Sequence, residues 1–511
     1  MNRFIKRLFK IVFSRATVLG LSVFLQFVVL MAMFNWLANY TIYMYMGIVG
    51  ISFLTIIVII NSDSDALVKI GWIVPIATIP IFGILFYLFM QYQPMPAIYR
   101  HRYKKVGEYI STSTSCDQSL IKKLKITNPE LYNLAHYSYK YGSYPIYDNS
   151  YVKYFSSGEP AFHRMLEELN KAEKFIFLES FIIEEGYMWE MILDILEAKA
   201  NKGVDVRVIY DGTCSVLHLP FRYLNNFADS KIQFKIFNPI RPLLTSIQNN
   251  RDHRKILIVD GNTAFTGGIN ISDEYINQKK LFGHWKDTAV MIKGDAVCSF
   301  SAMFLQNWNF GKTEIDDIRN FLCTKQYNAR GFVIPYGDNP YTGEHLGLNF
   351  YLDIINKAKS YVHIYTPYLI PNDNMLNALE YAAKRGVDVK IILPGIQDKN
   401  YCRAIAYRFY PQLVRSGVKL YHYTPGFVHA KSIVSDDKAA IVGTQNFDFR
   451  SLFFHFECGA FFCQTATVGD VEDDFNETLK RCEEITEDYI KRINIPTRIQ
   501  GTLLKLIAPL L

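Results

Sequence analysis

The chain opens on a long apolar front. From Ala16 to Ser62 there is no Asp, Glu, Lys or Arg, about twice the length that one helical span needs. Two spans are expected there, near 17–38 and 42–60. After Asp63, Asp65 and Lys69, a second uncharged run from Ile70 to Tyr99 contains GWIVPIATIPIFGILFYLFM. It predicts a third span, with Pro75 and Pro80 absorbed by helix packing in the membrane. The first apolar stretch is longer than the core of a signal peptide and no clear A-x-A site follows it, so it is expected to stay on the chain. Arg3, Lys6, Arg7, Lys10 and Arg15 precede the front, and Arg100, Arg102, Lys104 and Lys105 follow it. The positive-inside rule wants both clusters in the cytoplasm, which three spans cannot provide. Either one apolar segment is re-entrant or interfacial, or one cluster faces outward, and the side occupied by the rest of the chain stays open.

Beyond a Tyr- and Ser-rich stretch the pattern changes to alternating short β-rich runs and amphipathic helices, and it repeats. Ala172 to Gly212 (AEKFIFLESFIIEEGYMWEMILDILEAKANKGVDVRVIYDG) matches Ala358 to Gly395 (AKSYVHIYTPYLIPNDNMLNALEYAAKRGVDVKIILPG). Each copy gives a strand (FIFLES; YVHIYT), a helix with apolar residues at helical spacing, and GVDV opening a second strand. Parallel strands joined by a helical crossover predict an α/β layered fold. Two copies predict two such domains related by a pseudo-twofold, behind a helical membrane segment.

Each copy then reaches the same string in the same register: His253, Lys255, Asp260, Gly267 and Asn270, then His429, Lys431, Asp436, Gly443 and Asn446. One H-x-K-x-x-x-x-D is a weak motif, but two in register inside a duplication are specific. HRKILIV and HAKSIV read as strands, so His and Lys at i and i+2 share a face and point at one site. The Asp-Gly turn after the first returns the chain as a hairpin and brings Asn270, like Asn446 in the other copy, near the same mouth. Two imidazoles, two ammoniums and two amides suit phosphodiester chemistry. One neutral imidazole attacks phosphorus, the other as imidazolium protonates the leaving alkoxide, and Lys255, Lys431, Asn270 and Asn446 hold the phosphate oxygens. The symmetry of the motifs leaves open which histidine does which. Lysine is not a usual metal ligand, which argues against a metal-dependent phosphatase. The other nine histidines read as packed, hydrogen-bonded residues.

A net charge of +7 suits an anionic membrane surface or anionic substrate and is too mild to imply nucleic acid. No dense Lys/Arg stripe supports a nuclease. The eight cysteines show no C-x-x-C pair and no Cys/His cluster, so neither a disulfide framework nor a zinc site is expected.

Paired H-x-K-x-x-x-x-D motifs in duplicated α/β halves resemble the phospholipase D superfamily. More narrowly, NNRDHRKILIVDG, AFTGGINISDEYIN, FGHWKD, GFVHAKSIVSDDKAAIVGTQNFDFRS and the GWIVPI…PIFGILFYLF segment resemble bacterial cardiolipin synthase. The resemblance covers nearly the whole chain, with an extra apolar segment at the front. It implies a multi-pass enzyme of the bacterial cell membrane that needs no cofactor and acts on phosphatidylglycerol and other anionic phospholipids. One phosphatidylglycerol gives its phosphatidyl group to an enzyme histidine and releases glycerol, and a second takes it. By the same resemblance His253 is the nucleophile, His429 the general acid and then base, and the catalytic motifs comprise His253, Lys255, Asp260, His429, Lys431 and Asp436. A hydrolytic phospholipase D, with water as acceptor, and a non-catalytic membrane scaffold are the competing readings.

Each imidazole needs a carboxylate to fix its tautomer. Asp260 and Asp436 lie at strand ends and are expected to bond within their own hairpins. Asp287 and Glu457 border later apolar strands and are expected to orient His253 and His429 respectively. The expected division is a membrane segment over 1–95, a linker over 96–150, phospholipase D-like domains over 151–322 and 323–492, and an apolar tail over 493–511. Whether that tail touches lipid, and how many copies assemble, stays open.

Overall fold

The computed structural model describes residues 40–91, 94–111, 117–220, 223–240, 246–325 and 327–506, with isolated positions among 21–32 and residue 508. They form two units, one of Met1–Tyr99, Ile240–Asn250 and Leu503–Leu511, the other of Arg100–Pro239 and Arg251–Thr502.

In the first unit, Thr41–Ile60 is a helix of 20 residues. At about 1.5 Å per residue it matches a bilayer core of about 30 Å. Among the described residues Ile42–Ile60 is the one stretch long and apolar enough to cross a membrane. Ile42, Phe53 and Leu54 are each over 60% exposed, the pattern of a lipid-facing helix. Lys69 Nζ caps its last turn by donating to the Ile60 carbonyl at 2.9 Å. The expected span at 17–38 lies largely outside the described residues. The expected third span is not one helix. It breaks at Ile79 into Ala66–Thr78 and Pro80–Gln91, of 13 and 12 residues, each too short to cross. The residue before a proline is pushed away from the α region, and Ile79, at φ −132° and ψ 71°, ends the first helix before Pro80; Pro75 lies within that helix. A Cβ on Gly83 would lie 2.6 Å from Ile76 Cα, so only glycine lets the two helices meet so closely.

The stretch expected as a linker is instead helical: Pro94–Ser111 straddles the boundary at Tyr99, and Gln118–Thr127 and Pro129–Tyr137 follow in the second unit. Tyr103, Val106 and Ile110 are buried along one face, as are Leu120, Leu124, Leu131 and Leu134. Asp117 and Asn128 cap the second and third helices through their side chains. Tyr and Ser richness hid this periodicity because a tyrosine stands in the core face: Tyr103 is buried and donates to Asn307 Oδ1 at 3.1 Å.

Two sheets follow. The first holds β1 (Ser150–Phe155), β2 (Phe175–Ser180), β3 (Asp205–Asp211), β4 (Gln233–Phe237), β5 (Ile256–Val259), β6 (Thr263–Gly267) and β8 (Ala289–Gly294), in the order β1-β8-β6-β5-β2-β3-β4. The second holds β9 (Phe332–Asp338), β10 (Tyr361–Tyr365), β11 (Asp388–Pro394), β12 (Lys419–Tyr423), β14 (Ser432–Ser435), β15 (Ala439–Gly443), β16 (Glu457–Cys463) and β17 (Cys482–Glu484). Its order, β17-β12-β11-β10-β14-β15-β16-β9, is the first order read backwards with one added edge strand. The fold is thus mixed α/β with a duplicated domain. As the repeat predicted, β2 and β3 are parallel across the helix Tyr187–Asn201, and β10 and β11 across the helix Asp373–Lys384. Each hairpin, β5–β6 and β14–β15, packs antiparallel beside its central parallel strand.

Two small ladders join the repeats. The strand β7 (His284–Lys286) of the first repeat pairs in parallel with β13 (Gly426–Val428) of the second. A single bridge pairs Asp252 with Phe456. Each ladder runs just beside a motif histidine.

Candidate active site

His253 and His429 lie on the extended approaches to β5 and β14, a few residues earlier than the strands expected from HRKILIV and HAKSIV. Their backbones are held by the opposite repeat. The amide of His253 donates to the Phe456 carbonyl at 2.9 Å, and that of His429 to the Lys286 carbonyl at 2.7 Å. The residues after those two carbonyls are Glu457 and Asp287.

The carboxylates are therefore crossed. His253 Nδ1 lies 3.0 Å from both oxygens of Glu457. His429 Nδ1 lies 2.7 Å from Asp287 Oδ2. Asp287 and Glu457 are the orienting residues, but with partners opposite to those expected. The strand order gives the reason. Within each repeat β6 or β15 separates the motif strand from the one the carboxylate borders. That puts the carboxylate two strand spacings away, about 10 Å from its own repeat's histidine. Both carboxyls are fully buried. Burial pushes Glu457 well above the usual carboxylate range despite Lys255 nearby. Burial acts the same way on Asp287, but the adjacent His429, the bond between them and Lys431 outweigh it and hold the carboxyl below its ordinary value.

Burial, with the Lys255 ammonium beside it, holds His253 well below its usual range. Burial and Lys431 lower His429 to about 4, with Asp287 opposing. Both shifts favour the neutral imidazole. Lys255 Nζ donates to the His253 carbonyl at 2.7 Å, and Lys431 Nζ to the His429 carbonyl. Burial lowers Lys255 to about 8 and Lys431 to about 7. Both lysines fold back on neutral carbonyls, with Glu457 and Asp287 as the nearby carboxyls, and a bound phosphodiester would add counter-charge.

Two expectations change. Asp260 and Asp436 bond to neither imidazole, as expected, but they do not close their own hairpins either. Asp260 accepts from the amides of Glu173, Lys174 and Phe175 at 2.9, 2.7 and 2.9 Å. Asp436 accepts from Lys359, Ser360 and Tyr361 at 2.7, 2.8 and 2.9 Å. Each pins a hairpin corner to the start of the neighbouring strand and is structural rather than catalytic. Asp436→Ala should cost about 2–3 kcal/mol, the range for lost bonds to a charged acceptor. The check is the chemical-denaturation midpoint, with the rate per folded molecule unchanged. Asn270 is also committed elsewhere. Its Oδ1 accepts from the Ile182 amide at 3.1 Å and its Nδ2 donates to Tyr275 Oη at 2.6 Å, which leaves little for a phosphate. Asn446 differs: its Oδ1 is buried with no partner, so this amide is free to turn toward a substrate.

The walls of the two imidazoles differ as well. His429 sits among Tyr275, Trp285 and Phe427, with ring centroids 5.3, 5.5 and 5.9 Å away. His253 faces Phe181 at 5.0 Å and another imidazole, His455, at 5.7 Å. The sequence reads His455 as one of the packed histidines, yet both its ring nitrogens are buried without a hydrogen-bond partner. The available signal was its place two residues before Glu457, where residues on extended backbone share a face. Arg254 was also missed. It is fully buried and donates to the carbonyls of Glu457, Met303 and Asp338 at 3.2–3.3 Å, which braces the strand behind His253.

The family described as "Cardiolipin synthase, PLD-like domain" matches residues 165–308 and 351–479, both repeats of this site. The chain belongs to the cardiolipin synthase family. A second family, "Phospholipase_D-nuclease N-terminal", matches 50–90, the apolar helices of the first unit. A cardiolipin synthase of Alkalihalophilus pseudofirmus is 31% identical over 89% of this chain and 91% of that protein. One of Clostridium perfringens is 37% identical over 68% of this chain and 75% of its own. An uncharacterized protein of Streptococcus mutans is 45% identical over 89% of this chain and 99% of its own. The phosphatidylserine synthase of Haemophilus influenzae shares the fold, with a TM-score of 0.57 at 15% identity over 75% of this chain and 97% of that one. Membership in the cardiolipin synthase family makes the chain an enzyme of the phospholipase D superfamily with two such domains.

Proposed function

We propose that this enzyme makes cardiolipin and glycerol from two molecules of phosphatidylglycerol through a phosphohistidine on His253. The carrying observation is the crossed pair, His253 with Glu457 and His429 with Asp287, around one buried lysine-lined site. The two pairs differ in the way the two roles require. A nucleophile must be neutral, and His253 leans on a carboxyl that burial holds toward its own neutral form. A general acid must carry a proton, and His429 leans on a carboxylate held ionised.

In the first step Nε2 of neutral His253 attacks phosphorus. The bond to the glycerol oxygen breaks, and His429, protonated once the phosphate anion has entered, gives its proton to the leaving alkoxide. Lys255 and Lys431 turn from the histidine carbonyls to the non-bridging oxygens. Glycerol leaves. His429, now neutral, takes the proton from a hydroxyl of a second phosphatidylglycerol, whose oxygen displaces His253 from phosphorus. Bonds and protons balance, and no redox partner is involved. Residues 151–322 and 323–492 act as one unit related by an approximate twofold, held at a bacterial membrane by the apolar segment over 1–95. The segment crosses more than once in this reading.

Lipid alcohols crowd the membrane surface and burial disfavours water, so transfer should outrun hydrolysis. Full-length protein in phosphatidylglycerol vesicles without added metal should yield cardiolipin and glycerol, with phosphatidic acid minor, as resolved by lipid chromatography. Mostly phosphatidic acid would make the enzyme a hydrolase. No lipid product at all would favour the scaffold.

A further inference from the structure

Position by position, His455 stands where the other repeat has Trp285, two residues before the carboxylate in each case. Trp285 packs its ring on His429. His455 puts a second imidazole beside His253 on the same carboxylate. Its Nδ1 is 3.7 Å from Glu457 Oε1, which in turn is 3.0 Å from His253 Nδ1. One ligand atom from each of His253, His455 and Glu457 can be chosen so that all lie within 4.8 Å of one another. The two ring nitrogens of His455, itself a half-buried residue, are buried without a hydrogen-bond partner, which is costly.

We propose that His253, His455 and Glu457 form a binding site for a divalent ion of zinc-like softness, and that filling it switches the enzyme off. Two imidazole nitrogens and one carboxylate oxygen are a donor set that zinc favours, with a fourth position left open. Metal–ligand bonds of about 2.0–2.1 Å place neighbouring ligands of a tetrahedron about 3.3–3.4 Å apart. The separations from Glu457 Oε1, 3.0 and 3.7 Å, bracket that value, and the three ligand atoms, all within 4.8 Å of one another, draw together as the ion binds. The remaining Glu457 oxygen accepts from the Thr444 hydroxyl, which fixes the carboxylate from behind as outer-shell partners do in metal sites. Trp285 cannot bind a metal, so only the His253 side can form the site. The cations near it, Lys255, Lys431, Arg450, Arg251 and Lys399, weaken the site and make binding reversible rather than structural.

Inhibition follows from the tautomer. A metal on Nδ1 of His253 takes the lone pair there, and the ring proton moves to Nε2; Glu457 coordinates as the carboxylate and gives up any proton it carries to solvent. A neutral imidazole so bound has no lone pair left for phosphorus. Binding itself does not depend on the proposed reaction; inhibition does.

The test uses full-length detergent-solubilised protein stripped of metal and titrated with Co2+ as a spectroscopic substitute. Wild type should show one saturable visible band of a nitrogen- and oxygen-ligated ion. His455→Asn and His455→Gln should each weaken binding by more than about tenfold, since losing a ligand exceeds the loss of an outer-shell partner. His429→Asn should bind as wild type. Zn2+ should inhibit lipid turnover by wild type, and a chelator should restore it. Absence of a saturable band, wild-type binding by both His455 variants, or an intense near-ultraviolet thiolate band placing the ion on a cysteine would each overturn the site. Saturable binding without inhibition would keep the site and overturn the switch. If wild type makes no lipid product, the cobalt spectra still decide the binding.

Discussion

Alanine in place of either His253 or His429 should lower cardiolipin formation by about four orders of magnitude or more, the scale seen when a member of a catalytic unit is removed. Each half-reaction needs a nucleophile or leaving group on one histidine and a proton carrier on the other, and neither repeat holds both. The double variant should therefore be no slower than the worse single one, because the two act as one unit. The singles should differ in what they accumulate. With radiolabelled phosphatidylglycerol, His429→Ala should retain slowly formed, acid-labile label on the protein, because the group that activates the second alcohol is missing. His253→Ala should retain none. Near wild-type turnover in either variant would remove the shared site. Label retained by His253→Ala but not by His429→Ala would exchange the two roles.

The parts of this molecule legible in the sequence are those written in periodicity. The β-α-β units, the hairpins and the in-register motif strings come from local alternation and turn chemistry, and β2, β10 and the crossover helices sit where the pattern puts them. The partners of the histidines depend on strand order, and no local pattern states that β6 lies between β5 and β8. Asp287 and Glu457 could be picked out, but not which imidazole each serves. Asp260 and Asp436 misled for a related reason: a motif position suggests chemistry, while their three backbone donors come from residues more than seventy positions earlier. The broken third apolar segment was open to inspection at Pro80, since the restraint on the preceding residue is local. His455 was passed over because a lone histidine beside an aromatic is ordinarily core, and only its position against His253 makes it otherwise.

The crossed carboxylates give the second large expected effect, and an unequal one. Asp287→Asn removes the negative charge that His429 needs when it carries a proton, and it permits the wrong tautomer as well. The expected loss is about 10³–10⁴-fold in kcat, by the behaviour of the equivalent group in catalytic triads. Glu457→Gln replaces a carboxyl that burial already holds toward its neutral form, and the amide can still accept from His253 Nδ1–H. Its loss should be smaller, about 10–10²-fold, near the lower end for a positioned proton-transfer partner. Residual stability separates the effect from unfolding, since both substitutions keep the size of the buried group. The pairing itself is checked by histidine nitrogen chemical shifts against pH. Asp287→Asn should move the His429 signals and lower the titration midpoint of that ring in the phosphate-bound enzyme, while leaving His253 in place. Glu457→Gln should do the reverse, moving His253 and sparing His429. If Glu457→Gln proves the more damaging, the assignment of His429 as acid falls. If Asp287→Asn moves His253 instead, the crossing falls with it, and each repeat would have to orient its own histidine across the intervening strand.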